Sequence, residues 1–143
     1  EMGWKVTIVG RLKKLSKELF QKVYRSVEYE QVESITLDPF TAVVFMTHDF
    51  NWDSKLLPYF LDREPSYIGM LGPRKRLEKM NDKIKAYDLL SLDNLYSPIG
   101  LDIGAESPEE IALSICSEII SVFRNRTGQF LKWREGPIHD RVS

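Results

Sequence analysis

The chain has 143 residues, 43% hydrophobic and 29% charged, enough for one compact domain with a buried core and too few for a second independent one. Its 20 Lys and Arg balance 21 Asp and Glu to a formal net charge of −1, which argues against a general nucleic-acid binder or a membrane-adsorbed surface, so any anion site must be local. The one cysteine, Cys116, excludes an internal disulfide, and no apolar run approaches the roughly 20 residues of a membrane helix, so the simplest expectation is a cytoplasmic protein.

In chain order, Lys5 to Val9 is apolar and β-branched and ends at Gly10, the pattern of a short buried strand. So little sequence precedes it that the domain reads as a fragment, with a preceding strand and helix cut away. Leu15 to Gln21 suggests a brief helix, Lys22 to Val27 an edge strand, and Glu28 to Ile35 a helical segment through Tyr29, Val32 and Ile35. Thr41 to Met46 is continuously apolar, as in a strand of a parallel sheet covered on both faces. Asn51 to Arg63 predicts a helix capped by Asn51, with a kink or break at Pro58. Ser66 to Met70 and Leu95 to Ile99 predict strands, and Pro73 to Tyr87 the helix between them. Ser107-Pro108-Glu109-Glu110 is a capping box with proline at the first helical position, opening a helix to about Arg126 that carries Ile111, Ile115, Ile119 and Val122 on one stripe. Residues 1–126 are therefore one α/β domain with a mainly parallel sheet flanked by helices, and residues 127–143 an irregular tail.

In such a sheet ligands bind beyond the carboxyl ends of the strands. Three loops there hold the unusual residues: Thr47-His48-Asp49, the stretch from Gly69 through Gly72-Pro73-Arg74 to Arg76, and Gly100-Leu101-Asp102-Ile103-Gly104. Gly72 allows close backbone approach, and the helix start behind it offers free N–H groups and a positive dipole end to phosphate or carboxylate, with Arg74 or Arg76 adding a bidentate contact. The alternative is a tight turn followed by a solvated cationic face. His48 and Asp49 fit an acid/base pair, a ligand-orienting pair or a plain polar loop; Asp102 fits a ligand acceptor or a brace for its glycine-rich turn. Cys116 lies mid-helix on the apolar side, where an inert buried thiol is expected. His48 and His139 have no metal-ligand spacing, so no metal site is expected. No G-x-G-x-x-G follows a strand, and Gly10-Arg11 stands where a ribose-binding acid would be, which makes an NAD(P) site the weaker alternative.

Three stretches in this order, Ala42 to Asp49, Tyr67 to Arg76, and Pro98 to Ala105 with Ser107 to Ala112, resemble the carboxyl-terminal Rossmann-like domain of the XdhC/CoxI family, maturation proteins of xanthine and carbon-monoxide dehydrogenases. The likeness runs from about Gly3 to Arg126, and Gly136-Pro137-Ile138-His139-Asp140-Arg141 is similar to tails in the family. The resemblance implies an accessory chaperone rather than a conventional enzyme. Such a protein binds the molybdenum cofactor as cargo, supports its sulfuration by a cysteine desulfurase and delivers it to an apo xanthine dehydrogenase-type hydroxylase. The cofactor-binding residues expected here are Thr47, His48, Asp49, Gly69, Gly72, Arg74, Arg76, Gly100, Asp102 and Gly104, with none assigned to catalysis. Against the family pattern the amino-terminal domain, the first strand and its glycine loop are absent, and Gly10 replaces a common acid. The sheet is thus expected to lack the member between the strands at Lys5 and Thr41, a gap to be filled by a partner chain, a rearranged strand order or a separately held fragment, with a homodimer of exchanged elements the preferred expectation.

Overall fold

In the computed structural model, residues 2–139 are described; Asp140 and Arg141 of the tail motif lie outside them. Two parallel sheets form. The first pairs β1 (Thr7–Gly10) with β2 (Arg25–Glu28), and the second runs in the order β3 (Ala42–Phe45), β4 (Tyr67–Met70), β5 (Leu95–Tyr96). The α/β, Rossmann-like architecture matches the sequence reading. The expected interruption between the strands at Lys5 and Thr41 is also there, because β1 and β3 belong to different sheets.

Helix α1 (Lys17–Lys22) is capped by Ser16, whose Oγ accepts from the Leu19 N–H, and buries none of its residues. The Glu28 to Ile35 segment is a 3-10 helix, Tyr29–Ser34, which directs Tyr29 and Val32 into the core. Helix α2 (Phe50–Leu61) begins one residue earlier than expected, with Asp49 and not Asn51 as its cap: Asp49 Oδ1 accepts from the Trp52 N–H at 3.1 Å. It runs through Pro58 as a single helix. One helical hydrogen bond is forgone there, and burial of Leu56, Leu57, Phe60 and Leu61 on the same face outweighs that loss.

Helix α3 (Arg74–Lys83) is shorter than predicted, and Pro73 is its cap rather than its first helical residue. It stops at Ile84 because the chain turns back onto the core. Asn81 Oδ1 accepts from the Leu89 N–H at 2.8 Å, and the Tyr87 hydroxyl donates to Asp62. Strand β5 covers only Leu95 and Tyr96, since Pro98 has no N–H for the ladder. Helix α4 (Pro108–Phe123) has the predicted capping box and ends three residues earlier than expected. The tail contains a 3-10 turn at Leu131–Trp133.

The helices divide by face. Helices α2 and α3 enclose the larger core, with Phe45, Leu57, Ile68, Met70, Leu77 and Met80 fully or nearly fully buried and Val43 and Val9 packed against them. Helix α4 covers the other face of β3 to β5, where Ile115, Ile119 and Tyr67 pack with Ala42, Val44 and Tyr96. No helix of the described residues is long and apolar enough to cross a membrane.

Candidate functional site

Because β3, β4 and β5 are parallel, the loops that follow them emerge on one rim. Two backbone hydrogen bonds hold those loops side by side: the Leu71 N–H donates to the Phe45 carbonyl at 2.8 Å, and the Ile99 N–H donates to the Met70 carbonyl at 3.1 Å.

The first two loops are joined through a residue that the sequence reading passes over. Asp53, fully buried in the first turns of α2, accepts from the Thr47 hydroxyl at 2.8 Å on one carboxylate oxygen and from Arg76 Nη2 at 2.7 Å on the other. Charge pairing compensates the desolvation of this carboxylate. It also fixes the loop after β3 against the first turn of α3. A signal for it exists in the sequence, an acid on the same helical face as Leu56, Leu57 and Phe60, where an unpaired carboxylate would be costly.

Arg76 is therefore a structural partner in this network as well as a rim cation; its guanidinium also lies 5.7 Å from the centre of the Phe50 ring. Arg74 projects from the exposed first turn of α3 with no hydrogen-bond partner among the described residues. Pro73 supplies no side-chain cap; the Arg76 N–H donates to the Pro73 carbonyl at 3.0 Å, which leaves the Arg74 and Lys75 N–H groups of this first turn without a partner among the described residues. Gly72 has φ +116°, a conformation disfavoured for any residue with a Cβ.

Of the other expected residues, Thr47 is half-buried and also accepts from the Asp49 N–H at 3.1 Å, whereas Asp49 serves α2 as its cap. His48 is exposed at the edge of the rim. Gly69 lies inside β4, and a Cβ there would come within 2.2 Å of the Ile99 side chain, so its smallness lets the third loop cross the strand. Gly100, at φ +105°, would bring a Cβ to 2.4 Å from Ser114 Oγ. Helix α4 holds that turn: Glu118 Oε1 accepts from the Gly100 N–H at 3.0 Å and from the Tyr67 hydroxyl at 2.7 Å, while Ser114 Oγ donates to the Leu101 carbonyl. Burial and the Glu118 carboxylate together push the Tyr67 phenol well above its ordinary range. Asp102 and Gly104 are exposed at the tip, and among the described residues Asp102 forms no hydrogen bond that would brace the turn.

The end of β1 contributes as well. The Arg11 guanidinium lies 5.8 Å from the Tyr29 ring and 5.6 Å from Trp52, which stack on each other at 4.7 Å. Burial, then the Asp53 charge, raises the Tyr29 phenol, and the neighbouring Thr47 hydroxyl opposes the rise. Sequence reasoning noted Arg11 only as standing where a ribose-binding acid would be and did not find the aromatic pair beside it. Among the described residues no cluster of His, Cys, Asp and Glu is arranged to hold a metal ion.

Parallel α/β sheets flanked by helices, with a polar, cation-bearing rim at the carboxyl ends of their strands, define a Rossmann-like domain. The chain belongs to the XdhC Rossmann domain family, whose model matches residues 1–119. It is 38% identical over 86 residues to a probable xanthine dehydrogenase subunit of Bacillus subtilis, covering 57% of this chain and 23% of that protein. It is also 28% identical over 93 residues to the molybdenum cofactor insertion chaperone PaoD of Escherichia coli, covering 62% of this chain and 29% of that protein. Among solved structures, a xanthine dehydrogenase from Bacillus halodurans matches with a TM-score of 0.70 and 34% identity, over 85% of this chain and 35% of that one. The chain thus spans between 18% and 29% of the length of the curated relatives it matches.

Proposed function

We propose that this domain binds the molybdenum cofactor as cargo in the maturation of a xanthine dehydrogenase-type hydroxylase, supporting its sulfuration by a cysteine desulfurase and its insertion into the apo-enzyme. The observation that carries the reading is the open first turn of α3 behind Gly72, set on the same rim as Thr47 and His48 in a chain similar to an insertion chaperone. The pterin of that cofactor ends in a phosphate, and a helix start with unpaired N–H groups and an exposed Arg74 matches a phosphate in charge and in donor geometry. Asp102 and His48 supply acceptor and donor groups for the polar edge of the pterin. Arg76, already neutralised by Asp53, acts mainly by holding α3 in place.

The test is retention. The full-length protein is incubated with molybdenum cofactor or, separately, with NAD(P), and the co-eluting ligand is measured for the unaltered protein, Arg74→Ala and Asp102→Ala. Each substitution is expected to lower retained molybdenum cofactor about tenfold, the equivalent of losing one charge-assisted hydrogen bond of about 1.4 kcal/mol. Unchanged retention in both variants, or retention of NAD(P) alone, would refute the reading.

A further inference from the structure

The residues assigned so far meet the phosphate and the polar edge of the cargo, and none of them offers a flat surface to its ring. Such a surface stands at the carboxyl end of β1. Tyr29 and Trp52 stack at 4.7 Å with their planes 17° apart, although one comes from the 3-10 helix after β2 and the other from the first turn of α2. Tyr29 is 6% exposed and serves the core, whereas Trp52 is only partly buried. Two cations gather at the Trp52 ring, the Arg11 guanidinium 5.6 Å and the Lys55 ammonium 5.1 Å from its centre. Filling a core requires neither of them.

Arg11 is held at its root and loosely at its tip. The Leu12 N–H donates to Glu28 Oε1 at 3.2 Å and the Lys14 N–H to the Arg11 carbonyl at 2.9 Å, which pins the turn after β1 to the end of β2. The guanidinium itself pairs with Glu30 at 3.5 Å, between side chains 50% and 57% exposed. A pair so open to water contributes little, and the guanidinium can change partner at small cost. The cluster is also tied to the rim. The Tyr29 hydroxyl neighbours Thr47, whose own hydroxyl donates to Asp53, and Asp53 holds Arg76 in the first turn of α3. Trp52 is anchored from the same side, since its N–H donates to Asp49 at the end of the loop after β3. The stacked pair and the start of α3 are therefore two ends of one connected network.

The chemistry of the cluster selects a ligand. A tryptophan offers a π-face to any planar ring, and an arginine beside it supplies donors only. What the guanidinium meets on the edge of that ring must accept a hydrogen bond, as the carbonyl of a pyrimidinone does and the amino group of adenine does not. Pterin and guanine both carry such a carbonyl. We propose that Trp52 and Arg11 form the ring subsite of this domain, Trp52 stacking on a pterin and Arg11 donating to its ring carbonyl, while the start of α3 takes the phosphate. The assignment rests on the molybdenum cofactor being the cargo. Lys55 adds charge without direction, being a point charge on an exposed stem.

The experiment reads the emission of the ligand. Hydroxymethylpterin, which has the ring and no phosphate, is fluorescent, and stacking on tryptophan quenches it. The full-length protein is titrated into it, with GMP and AMP as competitors that differ only in the ring. Saturable quenching is expected, with GMP competing at least about tenfold better than AMP. Trp52→Leu should weaken pterin binding about tenfold, and Trp52→Phe, which keeps a stacking face, by no more than about threefold. Arg11→Ala should weaken it about tenfold at an unchanged urea midpoint and abolish the preference for GMP over AMP, which a merely structural arginine would not set. No quenching by the unaltered protein, undiminished quenching in both Arg11→Ala and Trp52→Leu, or equal competition by the two nucleotides overturns the proposal. Tighter binding of GMP than of the pterin also overturns it and assigns the subsite to a guanine nucleotide. The two readings fail separately. Arg11-dependent quenching in a protein that retains no molybdenum cofactor supports the ring subsite and refutes the cargo, whereas cofactor retention that needs Arg74 and ignores both Arg11 and Trp52 refutes the subsite alone.

Discussion

Asp53 is the residue on which the geometry of the rim depends most. It is fully buried, yet its two oxygens hold side chains from two different loops, Thr47 and Arg76. Removing one member of a buried ion pair strands the other. Asp53→Ala is expected to cost about 3 kcal/mol, read as a lower urea midpoint at unchanged slope, with Asp53→Asn intermediate because it retains the Thr47 bond. A loss below about 0.5 kcal/mol would mean that Arg76 finds water or another acceptor as readily, and that the junction does not organise the rim. Sequence reading named Thr47 and Arg76 but not the carboxylate between them. Spacing along a chain reveals neighbours within an element, and a contact across 23 positions becomes visible only once α2 and α3 are packed. For the same reason Gly69 looked like a ligand contact in the sequence, whereas its missing Cβ is needed by Ile99.

Elements whose boundaries are set locally were legible, and those set by tertiary contact were not. The Ser107 to Glu110 box fixed the start of α4 because both of its hydrogen bonds close within four residues. The end of α3 was overestimated because apolar Ile84 and Tyr87 continue the helical spacing, while the bonds that turn the chain there come from Asn81 and Asp62. The capping box also makes α4 sensitive to acid. Backbone N–H groups of Ser107 first, then Glu106, hold the Glu110 carboxyl below its ordinary value of 4.5. A carboxyl depressed in the folded state contributes stability that is complete above its unfolded value and is lost as pH falls through the folded one. Thermal unfolding should therefore show Glu110→Gln less stable than the unaltered chain at pH 7, and the two should converge as pH drops below about 4. A constant difference between pH 7 and pH 3 would count against the box as its source.

Over the whole molecule, stability is unevenly spread. The three strands β3 to β5 are covered on both faces, whereas β1 and β2 connect through α1, which buries nothing, and attach to the larger core through Val9 and the segment from Tyr29 to Leu37. Limited trypsin digestion should cut first at Lys13, Lys14, Lys17 or Lys22 and leave a fragment starting near Arg25. First cleavage inside α3, at Lys79 or Lys83, would show the opposite ranking. The parallel architecture and the three rim loops were readable from strand-like runs and the loops between them, because each is a matter of order along the chain, whereas the interruption in the sheet was expected from the family resemblance. The aromatic support beneath Arg11 and the two-sided division of the core were not, since both arise from faces brought together by folding.

The division into two sheets also bears on the order of synthesis. Strands β1 and β2 emerge first and can pair with each other at once, but the core that Val9 and the segment from Tyr29 to Leu37 join is completed only when α2 and α3 have followed. Until then their apolar face has nothing to pack on, and contacts that wait for partners made later form slowly and leave sticky surface exposed. The most vulnerable moment of this fold would then fall during its own translation.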